Sequence, residues 1–184
     1  MLTVVPEGVR YAVDIPDTVI AAEPFEMSVR RVDIVTGQLV TTDDRSFTIR
    51  AFSGNSPRPD FTLSPAGILA DTVGTTVDGE RLFAAQTYDR AETIFLRISD
   101  GTGEEFFSHV VTVLPAPASI LEVWAEDLPG QVLDRPLRPD EQVIVRTRAT
   151  DASGNPVQGS TISVDVVRGD GSLGNTRSRS STLS

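Results

Sequence analysis

Phe25-Glu26-Met27-Ser28-Val29-Arg30-Arg31-Val32-Asp33 is the stretch on which the fold turns. Phe25, Met27 and Val29 alternate with Glu26, Ser28 and Arg30. Successive side chains of an extended strand point to opposite faces, so a period of two buries one face and wets the other. The same period recurs where Phe47, Ile49 and Ala51 alternate with Ser46, Thr48 and Arg50. It returns at Ile94, Leu96 and Ile98, and again at Ile162, Val164 and Val166. No stretch places apolar residues at helical spacing over three turns. Turn chemistry separates the runs: Asp100-Gly101-Thr102-Gly103 reads as a hairpin loop, Asn55 to Pro59 as a proline-rich exposed loop, and Gly169 to Gly174 as a glycine-rich turn. Many short strands with frequent turn signals predict an all-β protein, a sandwich or a barrel.

The opening stretch also repeats. Val143-Ile144-Val145-Arg146-Thr147-Arg148-Ala149-Thr150-Asp151 echoes residues 25–33, and each copy enters a glycine turn ending in valine, Thr36-Gly37-Gln38-Leu39-Val40 and Ser153-Gly154-Asn155-Pro156-Val157. Two further echoes keep the same order. Leu2-Thr3-Val4-Val5-Pro6 returns as Val111-Thr112-Val113-Leu114-Pro115, and Tyr11-Ala12-Val13-Asp14-Ile15-Pro16 as Trp124-Ala125-Glu126-Asp127-Leu128-Pro129. These spacings of 109 and 113 residues match one sandwich domain. The register predicts that residues 1–6 are the closing strand of a preceding domain. Residues 7–115 are then one whole domain, and residues 116–184 a second domain incomplete at its C-terminus. Pro115-Ala116-Pro117-Ala118 reads as a short, stiff linker between them.

Composition narrows the function classes. The net charge is −10. A nucleic-acid binder needs a basic face to displace counterions from phosphate, and an anionic membrane surface repels an acidic chain. No run is apolar and long enough for membrane insertion. The chain has no cysteine, so disulfides and thiolate metal sites are excluded. Its 16 basic residues are all arginine, so a Lys–Asn isopeptide cross-link cannot form within it. Met1 to Arg10 lacks the layout of a signal peptide.

Asp151-Ala152-Ser153-Gly154-Asn155-Pro156-Val157, followed by an alternating run over 161–167 and Gly169-Asp170-Gly171-Ser172-Leu173, resembles the bacterial Ig-like domains of the invasin/intimin type. The likeness covers about 143–175. Residues 7–115 are a looser match, carried by Tyr88-Asp89-Arg90-Ala91-Glu92-Thr93-Ile94 running into Ser99-Asp100-Gly101. The resemblance implies tandem immunoglobulin-like β-sandwich domains in a large extracellular surface or secreted protein. It implies a stalk or spacer role, and it brings no catalytic residues.

His109, the only histidine, sits in the strand-like run Phe107 to Leu114 without the partners of a triad or a zinc site. Asp43-Asp44 and Glu104-Glu105 are paired carboxylates, but neighbours on a strand face apart, so neither pair is preset as general acid and base. Asp100, Glu104 and Glu105 share one hairpin loop and offer calcium its hard oxygens, yet lack EF-hand spacing; they read as solvated charges. Arg168-Gly169-Asp170 is an RGD tripeptide at a family turn that already favours glycine. Tyr11 and Trp124 read as equivalent amphipathic anchors at domain boundaries. Tyr88 reads as a hydrogen-bonded corner of the kind found in Ig-type sandwiches.

The expectation is therefore a non-enzymatic structural spacer of a bacterial surface protein, with no catalytic, cofactor or metal site. Its partners are neighbouring domains of the same chain. An incomplete second sandwich also predicts self-association, with Leu2-Thr3-Val4-Val5 of one copy added to the open sheet of another. The rival expectations are an adhesion or glycan-binding module and an accessory domain of a secreted enzyme.

Overall fold

The computed structural model describes residues 8–54, 67–102, 105–128, 130–136, 138 and 141–163. The described residues contain strands and turns and no helix. The chain divides into two compact units, Met1–Ala116 and Pro117–Ser184. The division falls within the Pro115–Ala118 stretch. Leu2–Pro6, Asn55–Pro59, Glu104, the run over Val164–Val167, the RGD tripeptide at 168–170 and the Gly169–Gly174 turn lie outside the described residues.

The described residues of unit 1 form nine strands: β1 (Val9–Asp14), β2 (Thr18–Ile20), β3 (Phe25–Asp33), β4 (Ser46–Ser53), β5 (Val73–Thr75), β6 (Glu80–Gln86), β7 (Thr93–Ser99), β8 (Glu105–Phe107) and β9 (Val111–Leu114). They form two sheets, β1-β3-β6 and β2-β9-β7-β4-β5, with β8 also on β7. Every pairing is antiparallel except β2 with β9. The chain leaves the first sheet at Ile15-Pro16, where proline offers no N–H to a ladder, and joins the second as β2.

The alternating residues make the core between the sheets. Tyr11, Met27, Val29 and Phe83 come from the first sheet; Phe47, Ile49, Ile94, Leu96, Ile98 and Val111 come from the second. Gly74 on β5 has no side chain because a Cβ there would lie 2.6 Å from Phe47 Cζ. The Asp78-Gly79 turn into β6 uses positive φ at both residues (53° and 81°), the geometry a two-residue hairpin requires.

The strand expected over Phe107 to Leu114 is broken. β8 pairs Phe107 with Arg97 and β9 pairs Val111 with Ile94, so this side carries one extra residue, a β-bulge. Ser108 fills the gap: its Oγ accepts from Leu96 N at 2.9 Å and donates to the His109 carbonyl at 2.6 Å.

Unit 2 shows a three-stranded sheet, ordered β11-β10-β12, from β10 (Ile120–Leu128), β11 (Gln131–Val132) and β12 (Ile144–Thr150). One face is ionic, with Arg146 Nε 2.6 Å from Glu126 and Arg148 4.0 Å from Glu122. The other carries Leu121, Val123 and Val145, exposed by 54%, 56% and 44%.

Both units use one turn. Asp33 N donates to Gln38 O at 2.9 Å, and Asp151 N donates to Asn155 O at 3.0 Å. Each aspartate also accepts amides ahead of it through Oδ1, from Val35 and Thr36 in unit 1 and from Ser153 and Asn155 in unit 2. The chain then returns to the same strand, bridging Val32 to Leu39 and Thr150 to Pro156. The unit 1 loop is one residue longer.

That anchor corrects the Tyr11–Trp124 equivalence. Both rings lie on the first strand of their unit, but Tyr11 pairs with Arg31, two residues before Asp33, whereas Trp124 pairs with Arg146, five before Asp151. An odd difference in register moves a side chain to the other face. Leu121, opposite Ala149, holds the place of Tyr11. The apolar face of unit 2 thus corresponds to the core face of unit 1, and Trp124 lies on the ionic face.

Candidate functional site

The most elaborate polar structure lies at one end of unit 1. β1 starts there, β3 and β7 end there, and β4 and β6 start there, so the loops around 34–45, 76–79 and 100–102 share that end. Three aspartates hold them together. Asp43 accepts from Arg31 of β3 and from Arg45 Nε at 2.9 Å. Asp44 accepts the amides of Asp78 and Gly79 at 3.2 and 2.8 Å. Asp100 accepts from the Tyr11 hydroxyl at 3.3 Å and lies 3.6 Å from Arg45.

Arg31 sits at the inward phase of β3, only 4% exposed. Its guanidinium lies 4.4 Å over the Tyr11 ring, and its Nε has no hydrogen-bond partner among the described residues. A buried arginine is tolerated because Asp43 balances its charge and the ring face adds cation–π attraction. Hydrogen bonds from Arg31 and then Arg45 hold the Asp43 carboxyl below its usual range. Burial, then the charge of Asp100, pushes the Tyr11 hydroxyl up to about 12. Burial also pushes Asp100 up, but the hydroxyl and amide of Thr102, with Tyr11 and Arg45, outweigh it and hold that carboxyl low.

The expectation that Tyr11 keeps a wet polar handle is corrected: the residue is 3% exposed, its ring packs on Phe47 and Phe106, and its hydroxyl is bound by Asp100. Asp43-Asp44 also lie in a loop rather than on a strand, each committed to its own donors. Asp100 and Glu105 face different partners, since Glu105 pairs with Arg97 at 2.8 Å. Among the described residues no group of three or more His, Cys, Asp or Glu is placed to hold a metal. His109 lies at the bulge with Nε2 3.1 Å from Asp17, both side chains well exposed.

Among exposed polar residues such as Thr36, Gln38, Asp44 and Asp78, this end also presents large apolar side chains to solvent. Ile34 and Val35 at the tip of the Asp33 turn are 54% and 79% exposed, and Leu39 and Val77 are 44% and 67% exposed. Beside them an open groove of about 720 Å³ runs along the β5 edge, lined by Phe47, Val73, Val77, Arg81 and Asp100 among others.

Tyr88 is fully buried, and its hydroxyl is hydrogen-bonded at the opposite end of β7. It donates to the Glu92 carboxylate and accepts the Gly67 amide at 3.1 Å. Burial, then the Glu92 bond, raises its pKa. In unit 2, Glu126 accepts from Arg146, from Trp124 Nε1 at 2.9 Å and from Gly130 N at 3.1 Å. The Arg146 bond, then the Trp124 bond, holds that carboxyl down at about 2.

Sequence reasoning missed Arg31 and the roles of Asp43, Asp44 and Asp100. One signal was present: the period-two pattern of β3 puts a charge at an inward position. Its partners are set by contacts such as Tyr11 to Asp100, 89 residues apart, which no local pattern encodes. Compared with family models, curated proteins and solved structures, the chain matches none of them.

Proposed function

We propose that this chain is a structural spacer of a bacterial extracellular surface protein, built from tandem immunoglobulin-like β-sandwich modules, and not an enzyme. The observation that carries the reading is the shared Asp33 and Asp151 turn. In each unit the first strand pairs antiparallel with a strand that ends in this turn and folds back on itself. Reuse of one device at one place is the signature of a repeated module. The strand order of unit 1 supports the immunoglobulin-like reading, with a first strand that switches sheets to run parallel to the last. A non-catalytic role agrees with the polar clusters, in which Asp43, Asp44 and Asp100 take up arginine, tyrosine and backbone donors and so fasten loops.

Pulling the full chain by its ends tests the reading. A load-bearing unit 1 should give one cooperative rupture releasing about 350 Å of chain, the extended length of its strand region. Smooth extension without a rupture would sink the spacer role. A second reading, a binding module, is favoured by the groove along β5; a glycan or protein ligand whose binding is lost on Arg81→Ala would support it.

A further inference from the structure

We propose that the loop end of unit 1 is a docking surface for a folded β-module lying ahead of Gly8 in the same polypeptide. The inference rests on the tandem-module reading and names the surface through which unit 1 meets its neighbour.

Four observations converge. The backbone at Gly8 is sewn to this end: Gly8 O accepts from Ile34 N at 3.1 Å, and a Cβ on Gly8 would lie 2.7 Å from Ile34 Cδ1. Whatever is joined closely ahead of Gly8 must therefore arrive beside the Asp33 turn. The tip of that turn carries Val35, at 79% the most exposed large apolar residue among those described, beside Ile34 at 54%. The structurally equivalent turn of unit 2 carries Ala152 and Ser153. The turn geometry therefore has no need of large apolar residues, and Ile34 and Val35 would gain burial from something beyond the described residues of the unit. The surface is also preorganised, because Asp43, Asp44 and Asp100 fasten its loops before anything binds, which lowers the entropy cost of docking. Finally, Leu2-Thr3-Val4-Val5-Pro6 repeats the sequence of β9 and the proline after it. In unit 1 that sequence is the closing strand that precedes a linker, so a closing-strand sequence stands directly ahead of the docking surface.

The test exploits the absence of cysteine. Val35→Cys gives the full chain a single thiol at an exposed tip, and its alkylation rate reports cover at that tip. The same variant is then placed in a fusion with a second copy of residues 8–110 ahead of Leu2, so that Leu2–Val5 supplies the last strand of the added copy. Circular dichroism and thermal unfolding report whether the added copy folds. The expected result is a second cooperative transition and alkylation slowed by about tenfold relative to the unfused chain. A thiol introduced instead at Ala152 should react at the same rate in both. If the added copy folds but the thiol at position 35 reacts equally fast, the docking surface is refuted while the module reading stands. If the added copy fails to fold, Leu2–Val5 is not a closing strand and the proposal falls with it. The spacer reading is judged separately, by the force rupture of unit 1.

Discussion

The Asp33 and Asp151 turns share their hydrogen bonds, yet the strands behind them differ in how they are covered. In unit 1 the face that carries Tyr11, Met27 and Val29 is closed by a second sheet, and the three residues are at most 3% exposed. In unit 2 the corresponding face carries Leu121, Val123 and Val145, each more than 40% exposed. The turn is thus a local device, assembled from one aspartate and the amides ahead of it. Core burial is not local, because it needs a second sheet from distant sequence. The single tryptophan lies in unit 2 and both tyrosines in unit 1, so intrinsic fluorescence can follow the two units separately.

The sharpest way to break this comparison is to truncate one leucine in each unit. Leu96 is fully buried, and Leu96→Ala should lower unit 1 stability by about 2–5 kcal/mol in denaturant unfolding followed through tyrosine. Leu121→Ala should cost less than about 1 kcal/mol through tryptophan. Equal costs would show that the unit 2 face is covered in solution and would erase the contrast.

A slightly smaller effect is expected where unit 1 has a charge network. Asp43→Ala leaves the Arg31 guanidinium buried without its counter-charge and should cost about 2–4 kcal/mol. Adding Arg31→Met should recover part of that loss, since the stranded charge goes with it. A double variant less stable than the single would show that the cation–π contact with Tyr11 outweighs the ion pair.

The shared turn sharpens the comparison further. Asp151 is 1% exposed and accepts both backbone amides and the Asn155 side chain, so Asp151→Ala should cost about 1–3 kcal/mol. Asp33 is 9% exposed, and Asp33→Ala should cost less. Amide exchange at Ser153 and Asn155 should accelerate more than at Val35 and Thr36; the reverse order would place the tighter turn in unit 1.

The smallest effect is a pH dependence. Glu126 is held down at about 2 from an ordinary value of 4.5, chiefly by Arg146. A carboxylate lowered in the folded state contributes stability that is complete above its unfolded value and is lost as the pH falls through its folded one. Tryptophan-detected unfolding of unit 2 should therefore weaken between pH 4.5 and 2, and Glu126→Gln should flatten that slope. An unchanged slope would remove Glu126 from the account.

By itself the sequence determined the all-β class, and the inward residues of β3, β4 and β7, because a period of two is written in neighbouring residues. It also located the Asp33 and Asp151 turns, whose partners lie within five residues. It misplaced Trp124 by three positions, because a motif match aligns letters while a ladder aligns hydrogen bonds, and an odd slip changes the face. It read through the bulge at Ser108, since one extra residue leaves an apolar run intact. Only the tertiary structure decided that Arg31 would be buried against Tyr11 and Asp43, and that Asp100 would close over the Tyr11 hydroxyl. Those choices depend on which loops meet at one end of two packed sheets. That meeting is fixed by pairings between residues far apart in the chain, not by any residue's neighbours.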